Sequence, residues 1–208
     1  ADAWKRNDRT MIDVLYRKSA VVQVLVSGFL FLVMWTSIDD LFELLPAEYA
    51  GASQVALVIG LAYLLTSAIG LSVGIISMSR SYRLDAWSSI SMLVINLIAN
   101  FFLIRSMGII GAAYATLISL VVVNAYRTWF LWYRYKLWPF DRRTVLVAAL
   151  IIVPALVLPW LPLTGNPWVD LPLRALIATV IFWPAAYVLK LMPDLLDFLK
   201  TVQRKAQR

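Results

Sequence analysis

The hydrophobic positions along this chain form six long apolar runs that are separated by short polar segments. The runs cover residues 19–38, 52–78, 85–104, 108–132, 144–161 and 171–191. A helix of about 20 apolar residues spans the hydrocarbon core of a bilayer. The runs lack the period-two alternation of membrane β-strands. The pattern therefore predicts an all-α, polytopic membrane protein with six transmembrane helices.

The polar segments divide the chain further. Residues 1–18 carry apolar positions at helical spacing, which predicts an amphipathic cytoplasmic lead-in. Residues 19–138 hold the first four transmembrane helices, and residues 139–192 hold two additional ones. Residues 193–208 are predicted to form a basic cytoplasmic tail at the membrane surface. Because the chain begins with a charged segment rather than with Met, we expect it to be a piece of a longer protein.

The positive charges orient this topology. All of the 19 Lys and Arg residues except Arg105 and Arg174 fall on the side of the membrane that holds both termini. Cytoplasmic loops carry an excess of Lys and Arg, so we expect a multi-pass protein of the cell (inner) membrane with both termini in the cytoplasm. Contact with lipid headgroups explains the net charge of +7 without a nucleic-acid partner.

The composition limits the available chemistry. The chain is 62% hydrophobic and has no Cys and no His, which excludes thiol chemistry and histidine-based proton transfer or metal binding. No cofactor is predicted. The acids Asp39, Asp40 and Glu43 could be read as a metal site, but no further ligand lies nearby in the sequence. We therefore predict solvated carboxylates and no metal.

Polar side chains inside the apolar runs are the candidate cavity residues. Asn96 and Asn100 lie four residues apart and share one helix face. They either form interhelical hydrogen bonds or line a translocation cavity. Asn124 and Arg127 lie near the cytoplasmic end of the fourth run. Arg127 either extends to the lipid headgroups or faces the cavity, where it would bind phosphate.

Small residues predict close helix packing, because they let helix backbones approach each other. The second run contains a G-x-x-x-G pattern, and the fourth run opens with glycine and alanine. The predicted packing residues are Gly70, Gly74, Gly108, Gly111, Ala112 and Ala115. A short turn at residues 105–107 is expected to join the third and fourth helices.

The segments 96–104 and 108–116, read with the turn between them, resemble the C-terminal lobe of polysaccharide biosynthesis flippases, which include the O-antigen transporters. Residues 44–52 resemble a loop of that family, although the family's glycine is replaced there. Residues 79–85 resemble its short cytoplasmic link. The similarity covers roughly residues 10–140 and identifies the chain with the MATE-like exporter superfamily.

The resemblance implies a function and a partner. Such proteins move a lipid-linked saccharide through a cavity between two lobes by alternating access. Residues 19–138 would then be four helices of the C-terminal lobe, and the N-terminal lobe would lie outside this chain. The implied substrate is a lipid-linked oligosaccharide or polysaccharide precursor, and the cavity candidates are Asn96, Asn100, Asn124 and Arg127.

Three alternatives stay open. A MATE-type cation-coupled exporter would need a carboxylate deep in a helix, and none of the six runs has one there. A membrane enzyme would need an acid or base at the membrane face, where Asp85 and Asp141 lie without an evident partner. We therefore do not predict an enzyme. The chain could also be a non-catalytic subunit of a polysaccharide synthesis complex.

Overall fold

The described part of the chain is mainly α-helical and contains no strand. The computed structural model describes residues 8–49, 51–161 and 164–191, so the predicted tail 193–208 lies outside the described residues. The α-helices are α1 (Arg9–Glu43), α2 (Ala52–Ser67), α3 (Ser72–Ser77), α4 (Tyr82–Met107), α5 (Ile109–Tyr135), α6 (Arg142–Val157) and α7 (Pro167–Val188). Short 3-10 helices cover Ala47–Tyr49 and Leu158–Trp160.

Helix α1 contains both the described part of the predicted lead-in and the first predicted span. It begins after Asp8, whose carboxylate accepts a hydrogen bond from the Met11 backbone N–H at 2.9 Å. The helix is 35 residues long. At 1.5 Å per residue it measures about 50 Å, which exceeds the hydrocarbon thickness of a bilayer. The helix therefore runs without a break through residue 18, where the sequence analysis places the end of the lead-in.

The second predicted span, 52–78, is not one helix. It is broken between α2 and α3, where Gly70 has a φ of +52°. A Cβ at Gly70 would lie 2.7 Å from both the backbone nitrogen of Ala20 and the hydroxyl of Ser19. The Ser19 hydroxyl accepts a hydrogen bond from the Leu71 N–H at 3.2 Å. Helix α1 therefore crowds the break and supplies a partner for backbone that the break leaves unpaired.

The link between α4 and α5 is shorter than predicted. The expected turn at 105–107 is wrong, because α4 continues through Met107 and only Gly108 separates the two helices. Gly108 has a φ of +64°, which glycine adopts without the steric cost of a Cβ. Its N–H donates to the Ile104 carbonyl at 2.9 Å and closes α4. The result is a tight antiparallel helical hairpin.

The helices pack in a simple sequence. Helix α4 packs on α5, α5 on α2, α2 on α1, and α1 on both α6 and α7. A large apolar core joins α1 to α6 and α7 around Leu25, Val147 and Phe182. A smaller one surrounds Tyr16 at the end of the bundle that also holds α3. Helix α4 is therefore covered mainly along one side.

A proline, Pro159, follows the end of α6 and leaves one backbone carbonyl of the helix without its usual partner. The carbonyl of Ala155 would accept the N–H of residue 159 in a continuing helix, but residue 159 is Pro. The indole N–H of Trp35 on α1 donates to this carbonyl instead, at 3.0 Å. The end of α6 is thereby attached to α1, as expected for a backbone group that would otherwise stay unpaired.

We expect Trp35→Phe to lower the unfolding free energy by about 1 kcal/mol, the typical net contribution of one hydrogen bond. The ring remains, so the loss reports mainly on the Ala155 carbonyl. In a Pro159→Ala background, residue 159 regains an N–H, and the same Trp35→Phe change should cost much less. Unfolding of purified protein in mixed detergent micelles measures both effects. Equal costs in the two backgrounds would contradict this role for Trp35.

Five of the described helices are long and apolar enough to cross a membrane, namely α1, α4, α5, α6 with its 3-10 extension, and α7. Helix α2 has 16 residues and is apolar but shorter. The chain is thus an all-α, polytopic membrane protein. The remaining predicted span corresponds to α2 and α3 together.

Candidate functional site

The main polar cluster joins α4 to α5 near the ends of the two helices that lie away from Gly108. The guanidinium of Arg127 donates from Nη2 to the Asp85 carboxylate at 3.1 Å. It also donates from Nε to the Ser88 hydroxyl at 2.9 Å and from Nη2 to the Ser89 hydroxyl at 3.2 Å. We call these residues, together with Ser77, the Asp85–Arg127 network.

Ser77 connects this network to α3. Its hydroxyl donates to the second carboxylate oxygen of Asp85 at 2.7 Å. The two oxygens of Asp85 are therefore shared between α3 and α5. Since α3 follows the break at Gly70, the network holds the short helix in place after the interruption. Three helices meet at one carboxylate.

Burial decides the role of Arg127. Its side chain is 10% exposed, and that of Asp85 is 24% exposed. The guanidinium is directed at α4 rather than away from the bundle, so the geometry favours an interhelical contact over an extended side chain. Phosphate binding by a free guanidinium is not what the geometry offers either, because Nε and Nη2 are directed at α4. A positive charge that is largely removed from solvent requires such a partner.

Asn96 and Asn100 form hydrogen bonds with each other rather than with the described residues of a neighbouring helix. The Asn100 amide nitrogen donates to the side-chain oxygen of Asn96 at 2.8 Å and to its carbonyl at 2.9 Å. Within the described part of the chain, the Asn96 amide nitrogen and the Asn100 side-chain oxygen have no hydrogen-bond partner. Both residues are partly exposed. One amide nitrogen and one amide oxygen therefore remain free on this surface.

The asparagines continue the line of the network along α4. Asp85, Ser89, Asn96 and Asn100 are spaced by four, seven and four residues, a spacing that keeps side chains on one flank of a helix. Buried positions such as Ser88 lie beside this flank, where α4 meets α5. The polar flank of α4, defined by these four residues, therefore runs along the edge of the α4–α5 contact.

Asn124 belongs to a different contact. Its amide nitrogen donates to the Thr66 hydroxyl on α2 at 3.0 Å, and the residue is buried. The four predicted cavity residues consequently separate into two groups. Asn96, Asn100 and Arg127 lie along the α4–α5 contact, whereas Asn124 lies between α2 and α5. They do not form one continuous wall.

The small residues have unequal surroundings. A Cβ at Gly111 would collide with the backbone carbonyl of Leu103 on α4, whereas a Cβ at Gly74 or Gly108 would meet open space within 4 Å. Ala115 is fully buried in α5 and Ala112 is partly buried. Gly70 lies in the break beside α1 rather than in a packing helix. Gly111 is thus the glycine that brings α4 and α5 together.

The opposite end of the bundle holds Arg105 and Arg174, the two positive charges that the sequence predicts to lie away from the cytoplasmic side. Arg174 on α7 forms a 2.8 Å ion pair with Asp40 on α1, and its side chain is mostly buried. Arg105 lies over the Phe101 ring at 4.1 Å within the last turns of α4. Asp40, one of the predicted solvated acids, therefore has a cationic partner and joins α1 to α7.

This geometry defines a class, a polytopic helical membrane protein with a polar flank on a half-covered helix. Comparisons of the chain with protein-family models, with curated proteins and with solved structures found no match.

The sequence carries a signal for the Asp85–Arg127 pair that is not visible in the pattern of either helix alone. The two residues lie at similar distances along the chain from Gly108, one before it and one after it. In an antiparallel helical hairpin, such positions meet side by side. Opposite charges at such positions predict an ion pair, provided that the turn is located correctly.

Proposed function

We propose that this chain is a segment of a membrane transporter, a flippase that moves lipid-linked oligosaccharide or polysaccharide precursors by alternating access. The proposal rests on the resemblance of segments 96–104 and 108–116 to such flippases. The observation that supports it most directly is the polar flank of α4, which retains a free amide donor and a free acceptor in apolar surroundings.

Free amide groups suit a saccharide. Sugar hydroxyls both donate and accept hydrogen bonds, and an amide side chain offers both functions. In a membrane, such groups are costly unless they face protein or a wet cavity. In the proposed transporter, Asn96 and Asn100 contact the sugar as it passes. Arg127 serves as a positioning residue that fixes α4 against α5, and Asn124 fixes α2 against α5.

The cation-coupled exporter receives less support from the geometry. It requires a carboxylate that is free to exchange a proton or a sodium ion inside the membrane. Asp85 is the only acidic residue among the described residues of the α4–α5 hairpin. It lies in the first turn of α4 and is held by Arg127 and Ser77.

We expect replacement of Asn96 and Asn100 together by Leu to abolish complementation of a flippase-deficient strain by the protein that carries this chain. The change removes the amide groups while keeping a helix-forming side chain of similar size. Growth or polysaccharide display measures function, and immunoblotting of the membrane fraction shows insertion.

A matched control replaces Ser91 and Ser106 by Leu. Both serines are exposed on α4 and bond to the carbonyls of their own helix. This double variant should complement normally. Full complementation by the asparagine variant would refute the proposed role. Lost complementation with unchanged transport in proteoliposomes would instead favour the assembly-subunit alternative.

A further inference from the structure

A pocket of about 760 Å³ lies between α2, α5 and the segment that follows α5. Its walls are mainly apolar and include Leu65, Ile69, Val121 and Ala125. A cavity of about 150 Å³ holds one benzene molecule, so this volume has room for roughly thirty carbon atoms. The pocket is separate from the polar flank of α4. It includes Asn124, which the proposed transport function uses only to hold α2 against α5.

Aromatic rings surround the pocket at the end of the bundle that carries the basic residues. Trp129, Trp132, Trp138 and Phe140 all line it, and each is partly exposed. Tryptophan favours the headgroup level of a bilayer, where one side of the ring is apolar and the other is wet. The mouth of the pocket is therefore expected at the membrane–water interface.

Positive charge lies at this mouth. The ammonium of Lys136 is 5.3 Å from the centre of the Trp132 ring. Lys136 ends α5 in a left-handed conformation, which turns the chain back along the pocket. Arg134 and Arg142 flank this segment in sequence. The acidic residue of this segment, Asp141, is the N-cap of α6. Its carboxylate accepts hydrogen bonds from the Arg143 and Thr144 N–H groups.

Polar groups inside the pocket are few. Asn124 uses its amide nitrogen on Thr66. The buried Thr128 hydroxyl lies near that of Tyr16 but makes no hydrogen bond of ordinary geometry in the described part of the chain. A saccharide would need many more polar partners, whereas an acyl chain needs none.

We propose that this pocket binds one anionic glycerophospholipid, with an acyl chain between α2 and α5 and the phosphate beside Lys136. Such a lipid has an acyl chain, a glycerol region and a phosphate. The apolar walls match the acyl chain, the interfacial tryptophans match the glycerol region, and the basic mouth matches the phosphate. A zwitterionic lipid has the same acyl chains but lacks the net negative charge that Lys136 attracts.

The test uses the full chain reconstituted in vesicles of equal phosphatidylglycerol and phosphatidylcholine. Native mass spectrometry after gentle solubilisation measures the retained lipid. We expect one retained lipid per chain, with phosphatidylglycerol preferred about fivefold. Ala125→Trp fills the pocket from α5 and should reduce retention about tenfold. Ala86→Trp, at an exposed alanine of α4 outside the pocket, should retain the lipid.

Three further variants distinguish pocket filling and loss of charge from misfolding. Leu65→Trp fills the pocket from α2 and should match Ala125→Trp. Lys136→Gln should keep the lipid but lower the headgroup preference to about one, whereas Arg80→Gln, at the same end of the bundle, should leave it fivefold. Equal retention by Ala125→Trp and Ala86→Trp, or an unchanged preference in Lys136→Gln, would overturn the proposal.

Discussion

Replacing Arg127 with Leu is expected to lower the unfolding free energy by about 3–5 kcal/mol, the usual cost of removing one partner from a buried ion pair. Arg127 is 10% exposed and donates to Asp85, Ser88 and Ser89. The variant leaves the Asp85 charge without its cation. Reversible unfolding of the purified protein in mixed detergent micelles measures the loss.

A double-mutant cycle identifies the cause. Asp85→Asn combined with Arg127→Leu removes both charges, so the pair should recover more than half of the loss. The partly exposed ion pair between Asp13 and Arg17 on α1, in which the Arg17 side chain is 42% exposed, is the control. Arg17→Leu should cost no more than about 1 kcal/mol, since solvent screens that pair. A similar small cost for Arg127→Leu would contradict the importance of the network.

Gly111→Ala is expected to destabilise the α4–α5 hairpin by about 1–3 kcal/mol, the range for overpacked contacts. The added Cβ would collide with the Leu103 carbonyl and approach the Ile104 nitrogen to 2.8 Å. Both are backbone atoms, and the one-residue link at Gly108 limits how far the helices can separate. Unfolding in mixed micelles measures the effect.

The control is Gly74→Ala in α3. Here a Cβ meets nothing within 4 Å, so the change should be neutral or stabilise the protein by up to about 1 kcal/mol through helix propensity. The two substitutions are chemically identical, and both glycines carry small-residue patterns in the sequence. Equal effects at the two positions would show that the Gly111 contact does not hold α4 against α5.

The helical membrane class followed from the sequence because apolar run length is a local property. Runs of about 20 apolar residues need no tertiary information to be recognised. The break at Gly70 could not be predicted in the same way. Ser19 and Ala20, which crowd this break, lie far away in sequence. A glycine inside an apolar run looks the same whether it packs in a helix or ends one.

The candidate site was predictable only in part. The helical spacing of Asn96 and Asn100 placed them on one face, and they do contact each other. Asn124 and Arg127 lie only three residues apart on α5, yet they hydrogen-bond to α2 and α4 respectively. Which neighbour a side chain meets depends on how the helices are arranged, and a single helix pattern does not contain that arrangement.

The sequence by itself determined the helical membrane class and the small residues that permit tight turns, since both depend on local composition and spacing. The tertiary structure alone decided that Arg127 pairs with Asp85 and that Gly111 is the close contact of the α4–α5 hairpin. The physical reason is the same in both cases. Desolvation and steric contact act between atoms that are close in space, and only the packed helices bring those atoms together.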